Sequence, residues 1–249
     1  MATRIIQKLS IVTPAYNEER TIRLLLEQLV NLDLKGTDKE LIVVNDCSKD
    51  KTLEIIQKVA AEYTKPGLSF KVLSNEKNSG KSQSVKKGIL ASTGNLVVIQ
   101  DADLEYEPKE LAQMVEMFKE DSELMVMYGN RFGKNNKVVY WQNWFGNRFL
   151  TLVSNFFTMW KGFTLHDMET CYKMAEGNVF RQLAAGITST SNFGFEPEIT
   201  AAFAKHKPRL KLKQIPITYR PRTIAEGKHM KAFHDGMKAL KEIIKFNLK

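Results

Sequence analysis

The chain has 249 residues, and its 37 Lys and Arg against 28 Asp and Glu give a formal net charge of +9. Its 43% hydrophobic and 26% charged residues exclude a disordered chain and fit one large α/β domain, or one with an appended lobe. Two distant cysteines, Cys47 and Cys171, with no C-x-x-C, exclude a disulfide framework and a zinc-finger type of site, and are compatible with a reducing cytoplasm.

The positive balance favours anionic partners: nucleic acid, anionic lipid or phosphorylated small molecules. No stretch reaches the roughly 18–20 apolar residues of a spanning helix. The first residues lack an apolar core, so no secretory leader is expected. Contact with a membrane would therefore be made on its surface.

The first half alternates strand and helix signals. Leu9–Pro14 reads as a buried strand, and Glu18–Asn31 as a helix with Ile22, Leu25, Leu26 and Leu29 on one face. Leu41–Asn45 is a β-branched run, Asp50–Tyr63 is helical, Phe70–Ser74 is a strand and Lys81–Ala91 a helix. Leu96–Gln100 is a strand, Pro108–Glu120 a helix with Pro near its first turn, and Leu124–Tyr128 a strand. This alternation predicts βαβ units and a mostly parallel sheet, whose ligands bind at the carboxyl ends of the strands. Gly129–Lys137 reads as a mobile connection.

Val138–Leu165 is rich in aromatics and holds all three tryptophans, Trp141, Trp144 and Trp160. Phe145, Phe149, Leu152 and Phe156 share one helical face; Asn143, Asn147, Thr151, Ser154 and Thr158 share another. Such a helix either packs on its own domain or lies in a membrane interface, where Trp favours the headgroup level. Pro197–Lys205 reads as a helix and Leu210–Tyr219 as a strand. Met230–Asn247 reads as a basic terminal helix with Phe233, Met237, Leu240 and Ile244 on one face, docked or in contact with a membrane.

The chemistry should lie just after the strands. Asp101-Ala102-Asp103 follows Leu96–Gln100, and two carboxylates so placed can meet one hard divalent cation, Mg2+ or Mn2+, with substrate phosphates completing its shell. Glu105 continues the alternation as a further metal ligand. Alone, the same residues also fit a solvated acidic turn. After the first strand stands Thr13-Pro14-Ala15-Tyr16-Asn17-Glu18, and after the second Asn45-Asp46-Cys47-Ser48-Lys49-Asp50. Together they offer an aromatic face for a base and carboxylates for its N–H groups. Asn17 and Ser48 also fit helix caps. Gly80-Lys81-Ser82 imitates part of a P-loop, but the Gly required five positions earlier is Asn75, which excludes that reading. The four histidines lack metal-binding spacing.

In this order the motifs resemble family-2 glycosyltransferases of the GT-A fold. Gly129-Asn130-Arg131-Phe132, Gly146-Asn147-Arg148 and Asp167-Met168-Glu169-Thr170-Cys171-Tyr172-Lys173 are similar to segments of dolichyl-phosphate mannose synthases and related polyprenyl-phosphate enzymes. So are Phe193-Gly194-Phe195-Glu196-Pro197-Glu198, Tyr219-Arg220-Pro221-Arg222 and Glu226-Gly227-Lys228. Two departures stand out: Cys47 where the family commonly has Gly, and Ser82 where it often has Gly.

The resemblance implies an inverting, metal-dependent transfer of a hexose from a nucleotide-diphospho sugar, GDP-mannose or UDP-glucose, to a polyprenyl phosphate at a membrane surface. Pro14, Ala15, Tyr16, Glu18, Asp46, Lys81 and Asp101 would bind the donor, and Asp101, Asp103 and Glu105 the metal. Arg131, Arg148, Arg222 and Lys228 would face the phosphates, as planar guanidinium forks suit. Residues 1–130 would form the nucleotide half and 131–249 the acceptor and membrane half of one domain. A hydroxyl acceptor would instead need a base; Asp167 is the first choice and Glu198 the second. A phosphate acceptor predicts that activity survives loss of Asp167 better than loss of Arg131. A nucleic-acid-binding module is disfavoured, because the lysines are spread along the chain and no binding motif is present.

Overall fold

A computed structural model describes residues 4–223 and 232–249. Seven strands form one sheet in the order β3-β2-β1-β4-β6-β5-β7. They are β1 (Lys8–Ala15), β2 (Asp38–Asn45), β3 (Leu68–Ser74), β4 (Leu96–Ile99), β5 (Leu124–Asn130), β6 (Lys173–Glu176) and β7 (Lys211–Pro216). All adjacent pairs are parallel except those made by β6, which runs antiparallel to both β4 and β5.

The helices are α1 (Ile22–Asn31), α2 (Thr52–Glu62), α3 (Lys81–Ala91), α4 (Glu110–Glu120), α5 (Trp141–Thr158), α6 (Gly177–Ala185), α7 (Phe195–Lys205) and α8 (Ala232–Leu248). This is the mostly parallel, helix-flanked sheet that the sequence predicts. Central β1 and β4 are apolar on both faces because both are covered: Leu9, Ile11, Val12 and Leu96–Ile99 are buried. α1 buries Ile22, Leu25, Leu26, Leu29 and Val30, the stripe that helical spacing presents to a sheet. β6 and α6 were not foreseen; β6 is only four residues long and follows a polar loop.

Gly129 and Asn130 belong to β5, so the predicted mobile connection begins later than expected. The loop beyond is tied down by Asn136, whose Nδ2 donates to the carbonyls of Arg131 (2.6 Å) and Ile217 (2.9 Å).

α5 is turned opposite to a core-facing amphipathic helix. Its small and polar residues Thr151, Ser154 and Thr158 face inward with Leu150. Phe145, Phe149, Leu152 and Phe156 are 59%, 54%, 67% and 66% exposed. Trp141 (65%) and Trp160 (83%) extend this apolar face. α8 packs against α5 and α7 through Ala239, Ile243 and Phe246, leaving Met237 and Ile244 exposed. The docked face is thus rotated from the expected one; the side chain of Phe233 lies outside the described residues. No helix among the described residues is long and apolar enough to cross a membrane.

Candidate functional site

The carboxyl ends of β2, β1 and β4 lie side by side, so the three post-strand segments line one cavity of about 650 Å³. Pro14, Ala15, Tyr16, Glu18, Asp46, Lys81, Asp101, Asp103, Glu105, Arg131 and Arg222 all border it. Tyr16 is 42% exposed, leaving an aromatic face open to a ligand.

Asn17 and Ser48 do not cap helices as expected; they cross-tie two loops. Asn17 N–H donates to Ser48 Oγ (3.0 Å), and Lys49 N–H donates to Asn17 Oδ1 (2.8 Å). Asn17 reaches this position with φ 55°, a left-handed conformation that Asn tolerates. Cys47 also has φ 60°, which explains why glycine suits that turn and shows that the turn persists without it. Leu104, directly after Asp103, has φ 60° as well, a strained backbone for a bulky residue beside the acidic motif.

Asp46 is buried and organises the segment before α3. Its Oδ1 accepts from Asn75 Nδ2 (2.7 Å) and Ser79 N–H (2.9 Å), and its Oδ2 from Gly80 N–H (2.9 Å). Gly80 is required here: its φ is 83°, and a Cβ would stand 2.5 Å from the Thr190 carbonyl oxygen. Next in the chain, Lys81 bridges Asp101 (2.9 Å) and Glu196 (3.1 Å). Burial opposes its charge, but Asp101 and Glu196 hold the ammonium well above its ordinary value.

Asp103 accepts from Glu105 N–H (3.1 Å) and lies 3.3 Å from Arg222 Nη2. Burial, with the charges of Asp101 and Glu105, pushes its carboxyl up to about 7 against the pull of Arg222. Glu105 is engaged at both oxygens, accepting from Tyr219 OH (2.6 Å) and Arg222 N–H (2.9 Å). Arg222 also meets Glu18 at 3.3 Å, so one guanidinium sits among Glu18, Asp103 and Glu105.

No three His, Cys, Asp or Glu side chains among the described residues are placed to hold a metal by themselves. Asp101 and Asp103 nevertheless fit the requirements of Mg2+ or Mn2+, which bind through one or two carboxylates with phosphate oxygens and water completing the shell. The crowding that raises Asp103 is the electrostatic counterpart of that fit, since added positive charge would relieve it.

Arg131 follows β5 and is paired with Asp167 in a fork. Its Nε and Nη2 donate to Oδ2 (2.7 Å) and Oδ1 (2.8 Å), and its own N–H to Oδ2 (3.0 Å). Asp167 is fully buried, and Arg131 is 8% exposed with its guanidinium 5.1 Å from the Tyr219 ring centroid. Asp167 thus stands behind Arg131, with both oxygens occupied, and Glu198 is similarly committed to Thr188 and Ser189. Loss of Asp167 and loss of Arg131 are consequently not independent perturbations. Arg148 is exposed on α5, its guanidinium 5.3 Å and 5.6 Å from the ring centroids of Phe132 and Trp144. Lys228, with Glu226 and Gly227, lies outside the described residues.

Glu169 and Glu196 border the cavity but had no role assigned from the sequence. The Asp167/Glu169 alternation was the available signal, and it precedes the strand that was not recognised.

The model of glycosyl transferase family 2 matches residues 10–181. A dolichol-phosphate mannosyltransferase of Pyrococcus furiosus is 32% identical over 134 residues, covering 54% of this chain and 36% of its own. A dodecaprenyl-phosphate galacturonate synthase of Rhizobium johnstonii is 26% identical over 179 residues, covering 71% and 50% respectively. This chain therefore spans about a third to a half of the length of these relatives. In three dimensions it resembles glucosyl-3-phosphoglycerate synthase of Mycobacterium tuberculosis, solved with Mn2+, UDP and phosphoglyceric acid. The TM-score is 0.70 at 16% identity, over 97% of this chain and 78% of that one. The likeness shows the fold, GT-A.

Proposed function

Because this chain belongs to glycosyl transferase family 2, we propose that it moves a hexose, with inversion, from GDP-mannose or UDP-glucose to a dolichyl or undecaprenyl phosphate. The observation that carries the reading is the buried Arg131–Asp167 fork, whose Arg131 lines the same cavity as Asp101 and Asp103. A guanidinium fixed from behind by a carboxylate presents its remaining edge to an anion without further ordering. Two of the relatives are named for polyprenyl-phosphate chemistry, which supports the same acceptor.

In this reading Pro14, Ala15, Tyr16, Glu18 and Asp46 surround the nucleoside. Asp101 and Asp103 face its diphosphate, with Lys81 adding positive charge beside them. A divalent metal held by Asp101 and Asp103, with Glu105 adjacent, would neutralise the departing diphosphate. Arg131 and Arg222, joined by Arg148 and Lys228, hold the acceptor phosphate in line with the anomeric carbon. A phosphate monoester is largely ionised near neutral pH, its second pKa being about 6. Its oxygen attacks opposite the leaving group, and no protein base is needed. Positioning and electrostatic stabilisation then supply the acceleration.

The chain would act as one unit, residues 1–130 on the donor and 131–249 on the acceptor, without nucleic acid as a partner. The outward apolar face of α5 supports peripheral attachment to the cytoplasmic face of a membrane. The alternative, a soluble sugar or glycan hydroxyl acceptor, lacks a free base in Asp167 or Glu198. Incubation with Mn2+ or Mg2+, a short polyprenyl phosphate and each donor tests the proposal. Metal-dependent label in the organic phase that vanishes with Asp103→Ala is expected. Transfer only to water-soluble hydroxyl acceptors would overturn the acceptor assignment.

A further inference from the structure

Glu169 stands out among the acidic side chains of the cavity. Asp101 and Glu196 are paired with Lys81, Asp103 with Arg222, Glu105 with Tyr219 and Asp167 with Arg131. Glu169 borders the same cavity, and its Oε1 is buried with no hydrogen-bond partner among the described residues. A buried acceptor left in that state calls for a donor from outside the protein.

Glu169 lines the cavity together with Arg131, Glu196, Asp101 and Asp103. If the diphosphate departs at Asp101 and Asp103 and the nucleophile is held at Arg131, the transferred glycosyl group must lie between them. Glu169 lines the cavity in which it would lie. A sugar ring carries several O–H donors, which match an orphan acceptor oxygen. Burial, reinforced by Glu196, pushes the carboxyl up to about 8, with Lys173 and Arg131 pulling the other way. The same burial and the same Glu196 charge would oppose a second carboxylate placed there.

We infer that Glu169 reads the donor sugar: its Oε1 accepts a hydrogen bond from a ring hydroxyl, so that the site takes a neutral hexose and rejects a sugar bearing a carboxylate. This inference rests on the donor site proposed above. The relatives already described differ in the sugar that their names specify, so a residue that selects it is required somewhere in this cavity.

The test is calorimetric binding, in the presence of Mn2+, of GDP, UDP, the matching nucleotide-hexoses and UDP-glucuronate to wild type, Glu169→Gln and Glu169→Ala. Nucleoside diphosphate affinity should stay within about twofold in all three proteins. Glu169→Ala should lose about tenfold in hexose-donor affinity, the scale expected when one polar contact to the sugar is removed. Glu169→Gln, which keeps a carbonyl acceptor but cannot ionise, should retain the hexose and, above the Glu169 pKa of about 8, narrow the hexose-to-uronate preference by about tenfold or more. Unchanged sugar preference in both variants, with nucleotide binding intact, overturns the inference and leaves the donor site standing. So does a variant that loses turnover at unaltered sugar affinity, which would make Glu169 a catalytic group. Wild type that binds no nucleotide at all overturns the donor-site reading and the inference together.

Discussion

Replacing Asp167 by Asn separates a supporting role from a chemical one. In the structure Asp167 is fully buried and accepts three hydrogen bonds from Arg131 at 2.7, 2.8 and 3.0 Å. Asn keeps one acceptor oxygen and turns an NH2 group toward guanidinium or backbone donors, leaving the Arg131 charge buried without its counter-ion. Breaking a buried pair in this way costs about 3–5 kcal/mol. For a chain of this size that lowers Tm by roughly 10 °C. Removing both partners, as in Arg131→Met with Asp167→Leu, should cost much less than the sum of the single changes, with a coupling of about 2 kcal/mol or more. Urea unfolding followed by circular dichroism, on wild type, both single variants and the double, measures each term. Transfer activity should fall in every variant, because Arg131 is misplaced or absent, so activity alone does not discriminate. If Asp167→Asn unfolds within about 1 kcal/mol of wild type yet turns over a thousandfold more slowly, Asp167 is a base rather than a support. That result would refute this reasoning and favour a hydroxyl acceptor.

Three further outcomes are expected. Phe149→Ser, Leu152→Ser and Phe156→Ser together should weaken binding to anionic vesicles by about a hundredfold, at about 1 kcal/mol per partly inserted side chain, while leaving the melting temperature nearly unchanged because these side chains are already exposed; co-sedimentation with vesicles checks it. Cys47→Gly should stabilise the chain by roughly 0.5–1 kcal/mol, since relief of a left-handed non-glycine conformation outweighs the added freedom of the unfolded chain; thermal melts decide the sign. Glu40 is buried, and although burial alone would raise its pKa, hydrogen bonds from Lys71, Ser10 and Thr93 hold it below the ordinary carboxylate value. Its contribution is therefore present above the ordinary carboxylate range and is lost as pH falls below it. Glu40→Gln should unfold at lower urea than wild type at pH 7, by about 1–3 kcal/mol, and the gap should close in acid.

The first half of the chain was legible because its signals are local. Each βαβ unit carries a short apolar run and a periodic helix, so the strand ends that hold Tyr16, Asp46 and Asp101 could be placed from spacing alone. β6 was not legible: Lys173–Glu176 is four residues long, and its place between β4 and β5 depends on antiparallel pairing with residues far away in the chain. Missing β6 also hid Glu169, which lies in the loop leading to it. The reversed face of α5 escaped periodicity for a different reason. Spacing separates two faces of a helix but does not say which one is inside, and Thr151 and Ser154 pack inward where Phe149 and Leu152 would be expected. Asn17 and Ser48 have the residue types of caps, yet they bond each other's loops, a contact visible only once β1 and β2 lie side by side. Arg131 and Asp167 were each identified, but not their pairing, because 36 residues separate them in the chain.

The measurement that bears most directly on the account compares a short polyprenyl phosphate with the corresponding polyprenyl alcohol as acceptor, under the same donor, metal and detergent, with wild-type protein. The account predicts transfer to the phosphate and none above background to the alcohol, because Arg131 and Arg222 would hold an anion, whereas Asp167 and Glu198, the two carboxylates that could serve as a base, are already engaged by hydrogen bonds. Equal transfer to the alcohol would contradict it, since a hydroxyl nucleophile needs proton removal that Asp167, closed by Arg131, does not offer.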